Sequence, residues 1–292
     1  MSERAEQPQE YRGLDDSRVQ LPQFQRVQLL TEVDSTNSYA QRALATADET
    51  QLCGWGELSV IATGNQVAGK GRLNRVWSAP AGTALATSFI IRPQANPAVN
   101  IPMAQYHWFT LLVALAAVQT WRELGVRAEI KWPNDVMVQG KKVCGVLAQL
   151  INLPSGEFAV VVGIGMNINL TAEQLPVPTA TSALIESGRH HALEECLNLL
   201  GAQVHRYYRA FAAVSGNVHA DLHLQGIPGS LLDLVRAKTA TIGMNVNVHL
   251  PGDQIATGTA EDINDKGELV VHHEDGSRRA YAVGDIVHMR PR

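Results

Sequence analysis

The sequence predicts an α/β protein of the α+β type, in which a domain with a mixed or antiparallel sheet is followed by a small β-barrel. Three features indicate this fold class. Short apolar segments between residues 129 and 164 are joined by tight turns, which connect antiparallel neighbours. Residues 101–124 follow the helical period and are followed by Gly125, which favours one long core helix. From residue 239 onward, Val, Thr, Gly and Asp are frequent and turn signals recur at short intervals, as in small barrels.

The size and composition of the chain predict a globular protein with a sizeable core. Its 292 residues are 45% apolar, which fits one large domain with a small one, or two domains. The formal net charge of −4 argues against attraction of the whole surface to nucleic acid or to an anionic membrane, so basic chemistry must be local. The three cysteines, Cys53, Cys144 and Cys196, show no metal-binding spacing and are expected to be buried in a reducing cytosol.

Neither a membrane span nor a secretion signal is recognisable in the sequence. The longest apolar run, around residues 109–118, is too short to cross a bilayer, and the N-terminus lacks an apolar core region. We therefore expect a cytoplasmic protein. Residues 1–24 are expected to be disordered or loosely attached, residues 25–237 to form the main domain, and residues 238–292 to form the barrel.

Local patterns predict the other elements of the main domain. Residues 25–33 predict a first strand, Leu58–Thr63 and Ala84–Ile91 predict buried strands, and residues 192–214 predict a second long helix. Residues 34–37, DSTN, supply helix N-cap types before a segment with helical propensity. This segment is either a cap alone or a helix N-terminus that also meets a polar ligand.

The loop at residues 63–77, TGNQVAGKGRLNRVW, predicts a ligand site. It contains three glycines, which let the backbone bend and approach a ligand, and three cations, which supply charge for an anion. These residues are Gly64, Gly69, Gly71, Lys70, Arg72 and Arg75. A loop of this composition on its own is more often a plain surface turn.

Two further stretches carry polar residues in apolar surroundings. In residues 131–147, KWPNDVMVQGKKVCGVL, Asn134 and Asp135 offer oxygen ligands suited to a hard cation such as Mg²⁺. Lys142 follows a tight turn and is expected to point into the core, or alternatively to reach solvent as a hairpin lysine. In residues 163–169, Asn167 and Asn169 face one side of the chain, or form an Asx-turn at a strand end.

Taken together, these stretches meet the needs of an adenylation reaction. A carboxylate attacks the α-phosphate of ATP, pyrophosphate leaves, and cations with Mg²⁺ stabilise the charge that develops. No Ser/His/Asp triad is recognisable. Residues 163–170, GIGMNINL, lack the third glycine of a dinucleotide fingerprint, which excludes that interpretation.

The same stretches resemble the biotin protein ligase family (biotin–acetyl-CoA-carboxylase ligases) from about residue 26 to residue 290. The motifs occur in family order and at family spacing, so their combination is far more specific than any one of them. They are DSTN at 34–37, GNQVAGKGRLNRVW at 64–77, KWPNDV at 131–136, GKKVCGVL at 140–147, GIGMNIN at 163–169 and GDIVHMRP at 284–291.

This resemblance implies a two-step reaction on a known type of fold. Biotin and ATP give biotinyl-5′-AMP and pyrophosphate, with Mg²⁺, and biotin then passes to one lysine of a biotin carboxyl carrier domain. The implied fold is a catalytic domain similar to the cores of class II aminoacyl-tRNA synthetases and biotin ligases, over residues 25–237. An SH3-like barrel over residues 238–292 would follow it.

The resemblance also assigns roles to individual residues. Lys142 and Arg72 are implied to be catalytic. The implied biotin-binding residues are Ser35, Thr36, Asn37, Gln66, Lys70, Gly71, Arg72, Lys142, Gly163 and Gly165. The implied ATP- and adenylate-binding residues are Arg72, Arg75, Trp77, Asn134, Lys142 and Asn167, and the implied Mg²⁺ ligands are Asn134 and Asp135.

The chain departs from the family pattern in its glycine loop. The family loop usually reads Gly-Arg-Gly-Arg, whereas Lys70 replaces the first arginine here, and Leu73 and Asn74 replace the usual Arg-Gly. Lysine is a point charge without the bidentate fork of arginine, so loop ordering and retention of the adenylate are expected to differ.

Some family members also carry an N-terminal helix-turn-helix and act as repressors. Only about 25 residues precede the first motif here, so we expect no operator binding. The sequence leaves the oligomeric state open between monomer and homodimer. Two alternative functions are a lipoate–protein ligase-like acyltransferase and a non-catalytic ligand- or nucleic-acid-binding protein.

Overall fold

The computed structural model describes residues 11–249, 255–282 and 285–288, except for the side chains of Asn74 and of residues 285–288. The main domain contains β1 (Arg26–Leu29), α1 (Thr36–Ala45), α2 (Glu49–Trp55), β2 (Leu58–Thr63), β3 (Gly69–Lys70), β4 (Val76–Trp77), β5 (Ala84–Ile91), α3 (Trp108–Glu123), β6 (Glu129–Lys131), β7 (Asp135–Val138), β8 (Lys141–Asn152), β9 (Phe158–Asn167), α4 (Ala183–Ser187), α5 (Leu193–Ala213) and α6 (Leu231–Lys238). A smaller β domain follows, with β10 (Asn245–His249), β11 (Ile255–Ile263), β12 (Leu269–His272), β13 (Arg278–Tyr281) and β14 (Asp285–His288).

The main sheet is mixed, as the sequence predicts. Its seven strands lie in the order β1-β2-β5-β9-β8-β7-β6. Strands β1 and β2 are parallel, and the other neighbouring pairs are antiparallel. The turn between β7 and β8 uses Gln139 and Gly140, both with positive φ, as a two-residue hairpin of this twist requires.

Helices cover both faces of this sheet. On one face, α3 and α5 pack against each other over a core that includes the fully buried rings of Trp108, Phe109 and Tyr208. On the other face, Leu44 of α1 packs against Ile61 of β2 and Ile90 of β5. Because α1 crosses β5, β8 and β9 on this second face, its N-terminus lies above the strands that carry the glycine-rich segment at residues 163–165.

The β domain is joined to the main domain by specific contacts. Its antiparallel strands lie in the order β13-β12-β11-β10-β14, which confirms a small C-terminal β domain. The indole of Trp108 donates to Asp265 O (3.2 Å), and that of Trp132 donates to Gly267 O (2.9 Å). Only residues 285–288 of the motif at 284–291 lie within the described residues, and they pair with β10. The boundary near residue 237 stays a prediction.

Three predicted elements have different limits in the structure. The first strand ends at Leu29, because the following residues leave the sheet and Val33 instead pairs with Gln66. The long helix begins at Trp108, after the extended Pro102 and a 3₁₀ turn at Met103–Gln105. The loop at 63–77 contains a short hairpin, β3 with β4, closed by a hydrogen bond from Gly71 N to Arg75 O (2.7 Å).

The segment from residue 11 to residue 24 is attached to the body, contrary to the expectation of a loose N-terminal tail. Leu21 and Phe24 are buried, and Phe24 packs against Phe89 with ring centroids 5.8 Å apart. Gly201 of α5 leaves the space that a methyl group of Leu21 fills. Apolar packing of these side chains therefore outweighs the polar composition of the segment. Residues 1–10 lie outside the described residues.

The cysteines follow the sequence prediction in part. Cys144 and Cys196 are buried, and burial raises the pKa of both thiols, that of Cys196 to about 12. Cys53 is exposed, because it lies on the outer side of the short helix α2, and the expectation that it is buried is wrong. Within the described residues, no helix combines the length and the apolar character needed to cross a membrane.

Candidate active site

A cavity of about 430 Å³ lies on the α1 side of the main sheet, a volume typical of small-molecule sites. Its walls come from the N-terminus of α1, the β3–β4 hairpin, and strands β7, β8 and β9. All of the residues to which the family resemblance assigns a role line this cavity: Ser35, Thr36, Asn37, Gln66, Lys70, Gly71, Arg72, Arg75, Trp77, Asn134, Asp135, Lys142, Gly163, Gly165 and Asn167.

One end of the cavity is built by the first residues of α1. Ser35 is the N-cap and accepts a hydrogen bond from Ser38 N (3.4 Å), so the capping interpretation is correct. Thr36 N donates to Gln66 Oε1 (2.8 Å), and Asn37 Nδ2 donates to Leu147 O (3.0 Å). The same three residues line the cavity, so they form both a cap and a polar wall.

Two glycines of β9 allow this wall to form. A Cβ atom at Gly163 would lie 2.2 Å from Asn37 Oδ1, and one at Gly165 would lie 2.7 Å from the indole of Trp77. Neither glycine has a positive φ, so close approach, and not backbone conformation, requires glycine at both positions. These glycines bring α1 and the hairpin directly onto the strand.

The β3–β4 hairpin forms one rim of the cavity, and Arg72 connects it to Asn134, the residue just before β7. Arg72 Nη1 donates to Asn134 Oδ1 (3.0 Å), and Asn134 Nδ2 donates to Val146 O (2.8 Å). Leu73 lies in the left-handed region at φ 54° and is 70% exposed. A non-glycine residue in that conformation costs free energy, which is typical of segments that rearrange at binding sites.

Lys142 faces the cavity, and the expectation that it points into the core is wrong. Its side chain is 41% exposed, and Nζ lies 2.6 Å from Asp135 Oδ1. The physical reason is a bulge in β8: Val136 and Met137 of β7 pair with Cys144 and Lys142, so Val143 is an extra residue that shifts the register. The ammonium group of Lys142 is therefore paired with Asp135 and in contact with solvent, and is not buried without a partner as the strand pattern suggested.

The cavity is strongly cationic. Five basic side chains line it: Lys70, Arg72, Arg75, Lys131 and Lys142. Among the residues described, Asp135 is the one acidic side chain in its lining. Cations at this density attract and hold phosphate or carboxylate groups.

One wall of the cavity was not predicted from the sequence. Residues 176–180 contribute Pro176, Val177, Thr179 and Ala180 to its lining. This segment pairs with the backbone of Lys142, since Lys142 N donates to Thr179 O (2.7 Å) and Thr181 N donates to Lys142 O (2.8 Å). The PVP sequence at 176–178 is not a ligand signal by itself.

Ser88 of β5 was also missed, although it contacts two predicted site residues. Its Oγ lies 2.6 Å from Asn37 Oδ1 and 2.7 Å from Thr36 Oγ1. The available signal was a hydroxyl in the middle of the apolar strand ALATSFII. Asn167 does reach the cavity and donates to Thr181 O (3.0 Å), whereas Asn169 donates to His191 O (2.8 Å) and is not part of the lining.

The residues present fit Mg²⁺ only as an ion that arrives with phosphate groups. No group of three or more His, Cys, Asp or Glu side chains in the described part of the chain could hold a metal ion. Asp135 supplies one carboxylate, while Asn134 Oδ1 accepts from Arg72. Mg²⁺ is commonly bound in this way, through one or two carboxylates together with substrate phosphates and water.

Comparison with known proteins agrees with the fold. The model of the biotin/lipoate A/B protein ligase family matches residues 32–169, and that of the biotin protein ligase C-terminal domain matches residues 241–289. The biotin–[acetyl-CoA-carboxylase] ligase of Paracoccus denitrificans is 30% identical over 252 residues, covering 85% of this chain and 95% of that protein. The ligase of the same name from Mycobacterium tuberculosis is 28% identical over 277 residues, covering 91% and 90%.

A solved structure shows the same fold. The biotin protein ligase from Aquifex aeolicus in complex with biotin and ATP superposes with a TM-score of 0.68 at 24% identity, covering 92% of this chain and all of that one. The sheet, the cavity and the first family match define a protein of the biotin/lipoate ligase class. Within that class, the C-terminal domain and the Paracoccus relative are decisive, and the chain belongs to the biotin protein ligase family.

Proposed function

We propose that this chain is an ATP-dependent biotin protein ligase that activates biotin as biotinyl-5′-AMP and transfers it to a lysine of a carrier domain. The observation that carries the proposal is one cavity with a neutral polar wall at Ser35, Thr36 and Asn37 and basic side chains around the remainder. The polar wall suits a neutral, hydrogen-bonding head group. The basic side chains suit a carboxylate and a triphosphate.

In the first step, a carboxylate oxygen of biotin attacks the α-phosphorus of ATP. The bond from that phosphorus to the bridging oxygen of the β-phosphate breaks, and pyrophosphate leaves with the electron pair. Lys142 and Arg72 would stabilise the negative charge that builds on the phosphoryl oxygens. Lys70 and Arg75 on the hairpin would close over the same charge, and Trp77 and Asn167 would border the nucleotide.

In the second step, the neutral amine of the acceptor lysine attacks the biotinyl carbonyl carbon. The bond to the AMP oxygen breaks, AMP leaves, and the new amide nitrogen loses its extra proton to the surroundings. The partner is a biotin carboxyl carrier domain of a biotin-dependent carboxylase. A cytoplasmic location and the lack of operator binding stay predictions.

Mg²⁺ would enter with ATP and neutralise phosphate charge, with Asp135 as its protein carboxylate. We further propose that the biotin-binding set includes Gln66, Gly71, Gly163 and Gly165, which line the cavity beside α1. We propose residues 25–237 as the catalytic domain and residues 238–292 as a separate domain. The hydrogen bonds of Trp108 and Trp132 to the turn at Gly267 support a fixed attachment of the two.

Incubation of the full chain with biotin, ATP, Mg²⁺ and a carrier domain tests this function, with the mass of the carrier as the readout. We expect a gain of one biotinyl group per carrier, and no gain when the acceptor lysine is replaced by arginine. Pyrophosphate release without the carrier would report the first step alone. Transfer of lipoate in place of biotin, or ligand binding without ATP consumption, would contradict the proposal.

A further inference from the structure

We propose that Ser88 is a positioning residue. It determines which groups of Thr36 and Asn37 donate and which accept hydrogen bonds at the end of the cavity that would hold biotin. The inference rests on the proposed biotin ligase function, because it assigns a role within that site. Ser88 lies in the middle of β5 with 0% exposure and is not itself part of the cavity lining. Any effect on a ligand must therefore pass through its neighbours Thr36 and Asn37.

The orientation of Asn37 follows from its partners. Asn37 Nδ2 lies 3.0 Å from Leu147 O, and a carbonyl oxygen can only accept, so the amide group is fixed with Nδ2 on that side. Asn37 Oδ1 is consequently an acceptor at 2.6 Å from Ser88 Oγ. Two oxygen atoms at this distance repel each other unless a proton lies between them. The hydroxyl proton of Ser88 therefore points to Asn37 Oδ1.

The orientation of Thr36 follows from that of Ser88. The single Ser88 proton is directed to Asn37, so Ser88 Oγ must accept at its 2.7 Å contact with Thr36 Oγ1. The competing acceptor for the Thr36 proton is Gln66 Oε1, which is farther away at 3.3 Å and already accepts from Thr36 N. The hydrogen bonds therefore point in one direction: Thr36 donates to Ser88, and Ser88 donates to Asn37.

This order determines what the cavity offers to a ligand. Thr36 Oγ1 has donated its proton inward, so its remaining lone pair is an acceptor. Asn37 Nδ2 carries a second proton beyond the one given to Leu147, so it remains a donor. An acceptor beside a donor complements a cyclic urea, which presents N–H and C=O groups on one rigid ring.

Replacement of Ser88 by alanine removes the hydroxyl group that fixes the direction of these hydrogen bonds. Asn37 Oδ1 loses its donor, and the Thr36 proton is free to turn toward the ligand and compete with a ligand N–H. We expect the Kd for biotin to rise by about tenfold to a hundredfold. The maximal rate of adenylate formation and the KM for ATP should change by less than about twofold, because Ser88 contacts none of the basic residues that face the phosphates.

Titration calorimetry of the full chain with biotin and with desthiobiotin tests the inference, alongside the rate of pyrophosphate release. Desthiobiotin keeps the cyclic urea and lacks the sulfur ring, so Ser88→Ala should weaken both ligands by the same factor. Ser59→Ala is the matched control: Ser59 is also a fully buried serine, on the adjacent strand β2, and its hydroxyl donates to Trp55 O, away from the cavity. It should keep wild-type affinity for both ligands.

Two further variants separate positioning from a merely structural role. Ser88→Cys keeps a side chain of similar size with a weaker hydrogen-bond donor, so its affinity for biotin should lie between those of wild type and Ser88→Ala. If Ser88→Ala fails to fold, a loss of biotin affinity in Ser88→Cys tests the proposal in its place. Thr36→Val in the Ser88→Ala background should cost less affinity than Thr36→Val alone, because both changes remove the same ordered acceptor.

The outcomes distinguish this inference from the function on which it rests. Wild-type protein that neither binds biotin nor releases pyrophosphate would overturn the ligase function and this inference together. Wild-type binding with unchanged biotin affinity in folded Ser88→Ala would overturn the role of Ser88 alone. An equal loss in Ser59→Ala, or a larger effect on the KM for ATP than on biotin affinity, would also overturn it.

Discussion

Lys142 Nζ lies 2.6 Å from Asp135 Oδ1, and the lysine side chain passes over Gly145 to reach it. A Cβ atom at Gly145 would lie 2.9 Å from that nitrogen. The absence of a side chain at Gly145 therefore defines where the ammonium group sits. An arriving phosphate would meet a lysine that is already held on the cavity wall, which reduces the reorganisation needed for transition-state stabilisation.

Replacement of Lys142 by alanine should lower the rate of biotinyl-AMP formation by about a hundredfold to a thousandfold, because it removes a cation beside the developing charge. The measurement is pyrophosphate release at saturating biotin and ATP. Lys141→Ala is the control, since Lys141 is the exposed neighbour and does not line the cavity. A wild-type rate in Lys142→Ala would refute the assignment.

Gly145→Ala tests the position of the ammonium group without removing its charge. The added methyl group would displace the flexible end of Lys142, so we expect a normally folded protein with adenylation slowed by about tenfold or more. Gly54→Ala in α2 is a steric control, because a Cβ atom there meets no other atom within 4 Å. Unchanged turnover in Gly145→Ala would show that the precise location of Lys142 does not matter.

Asn134 and Asp135 were both predicted as Mg²⁺ ligands, but their contacts in the structure indicate different roles. Asp135→Asn should raise the Mg²⁺ concentration needed for half-maximal rate by about tenfold, because it removes the carboxylate. Asn134→Ala should lower the rate in the manner of Arg72→Ala, because Asn134 Oδ1 accepts from Arg72, and it should leave the Mg²⁺ midpoint in place. Equal midpoint shifts in both variants would restore Asn134 as a metal ligand.

Local signals in the sequence predicted those features that depend on neighbouring residues. The strands Leu58–Thr63 and Ala84–Ile91 have the predicted ends, since each is a continuous apolar run in the middle of the sheet. Ser35 caps α1 as its residue type indicates. The roles of the cavity residues came from family motifs, because composition alone did not separate the loop at 63–77 from a surface turn.

Features that depend on long-range packing could not be read in this way. Lys142 faces the cavity because of a bulge at Val143 of β8, and a shift of one residue in register reverses the face of every side chain in a strand. Ser88 acquires its partners when α1 packs over β5. The wall at residues 176–180 forms only when Thr179 pairs with Lys142. None of these contacts leaves a periodic trace in the sequence.

The β3–β4 hairpin should be cleaved by trypsin after Lys70, Arg72 or Arg75 more slowly when biotin and ATP are bound. The strained conformation of Leu73 and the exposure of its side chain indicate that this segment opens locally. We expect protection of about tenfold at saturating ligand. Cleavage after Arg127, in the exposed turn before β6, serves as the control and should not change. Equal hairpin cleavage with and without ligands would contradict ordering on binding.

Asp34 precedes the cap of α1 and makes the stability of the protein sensitive to acid. Arg42 donates to both of its oxygens (2.7 and 2.8 Å), and these hydrogen bonds lower the pKa of Asp34 from 3.8 to about 2. A lowered pKa stabilises the fold above the unfolded value, and this contribution is lost as the pH falls from 3.8 to about 2. Both side chains are partly or largely exposed, so screening by solvent keeps this contribution to the free energy of unfolding small. In urea unfolding, Asp34→Asn and Arg42→Gln should be less stable than wild type at neutral pH and should approach it at the acid end of that range. A difference from wild type that stays constant across this range would show that the ion pair does not cause it.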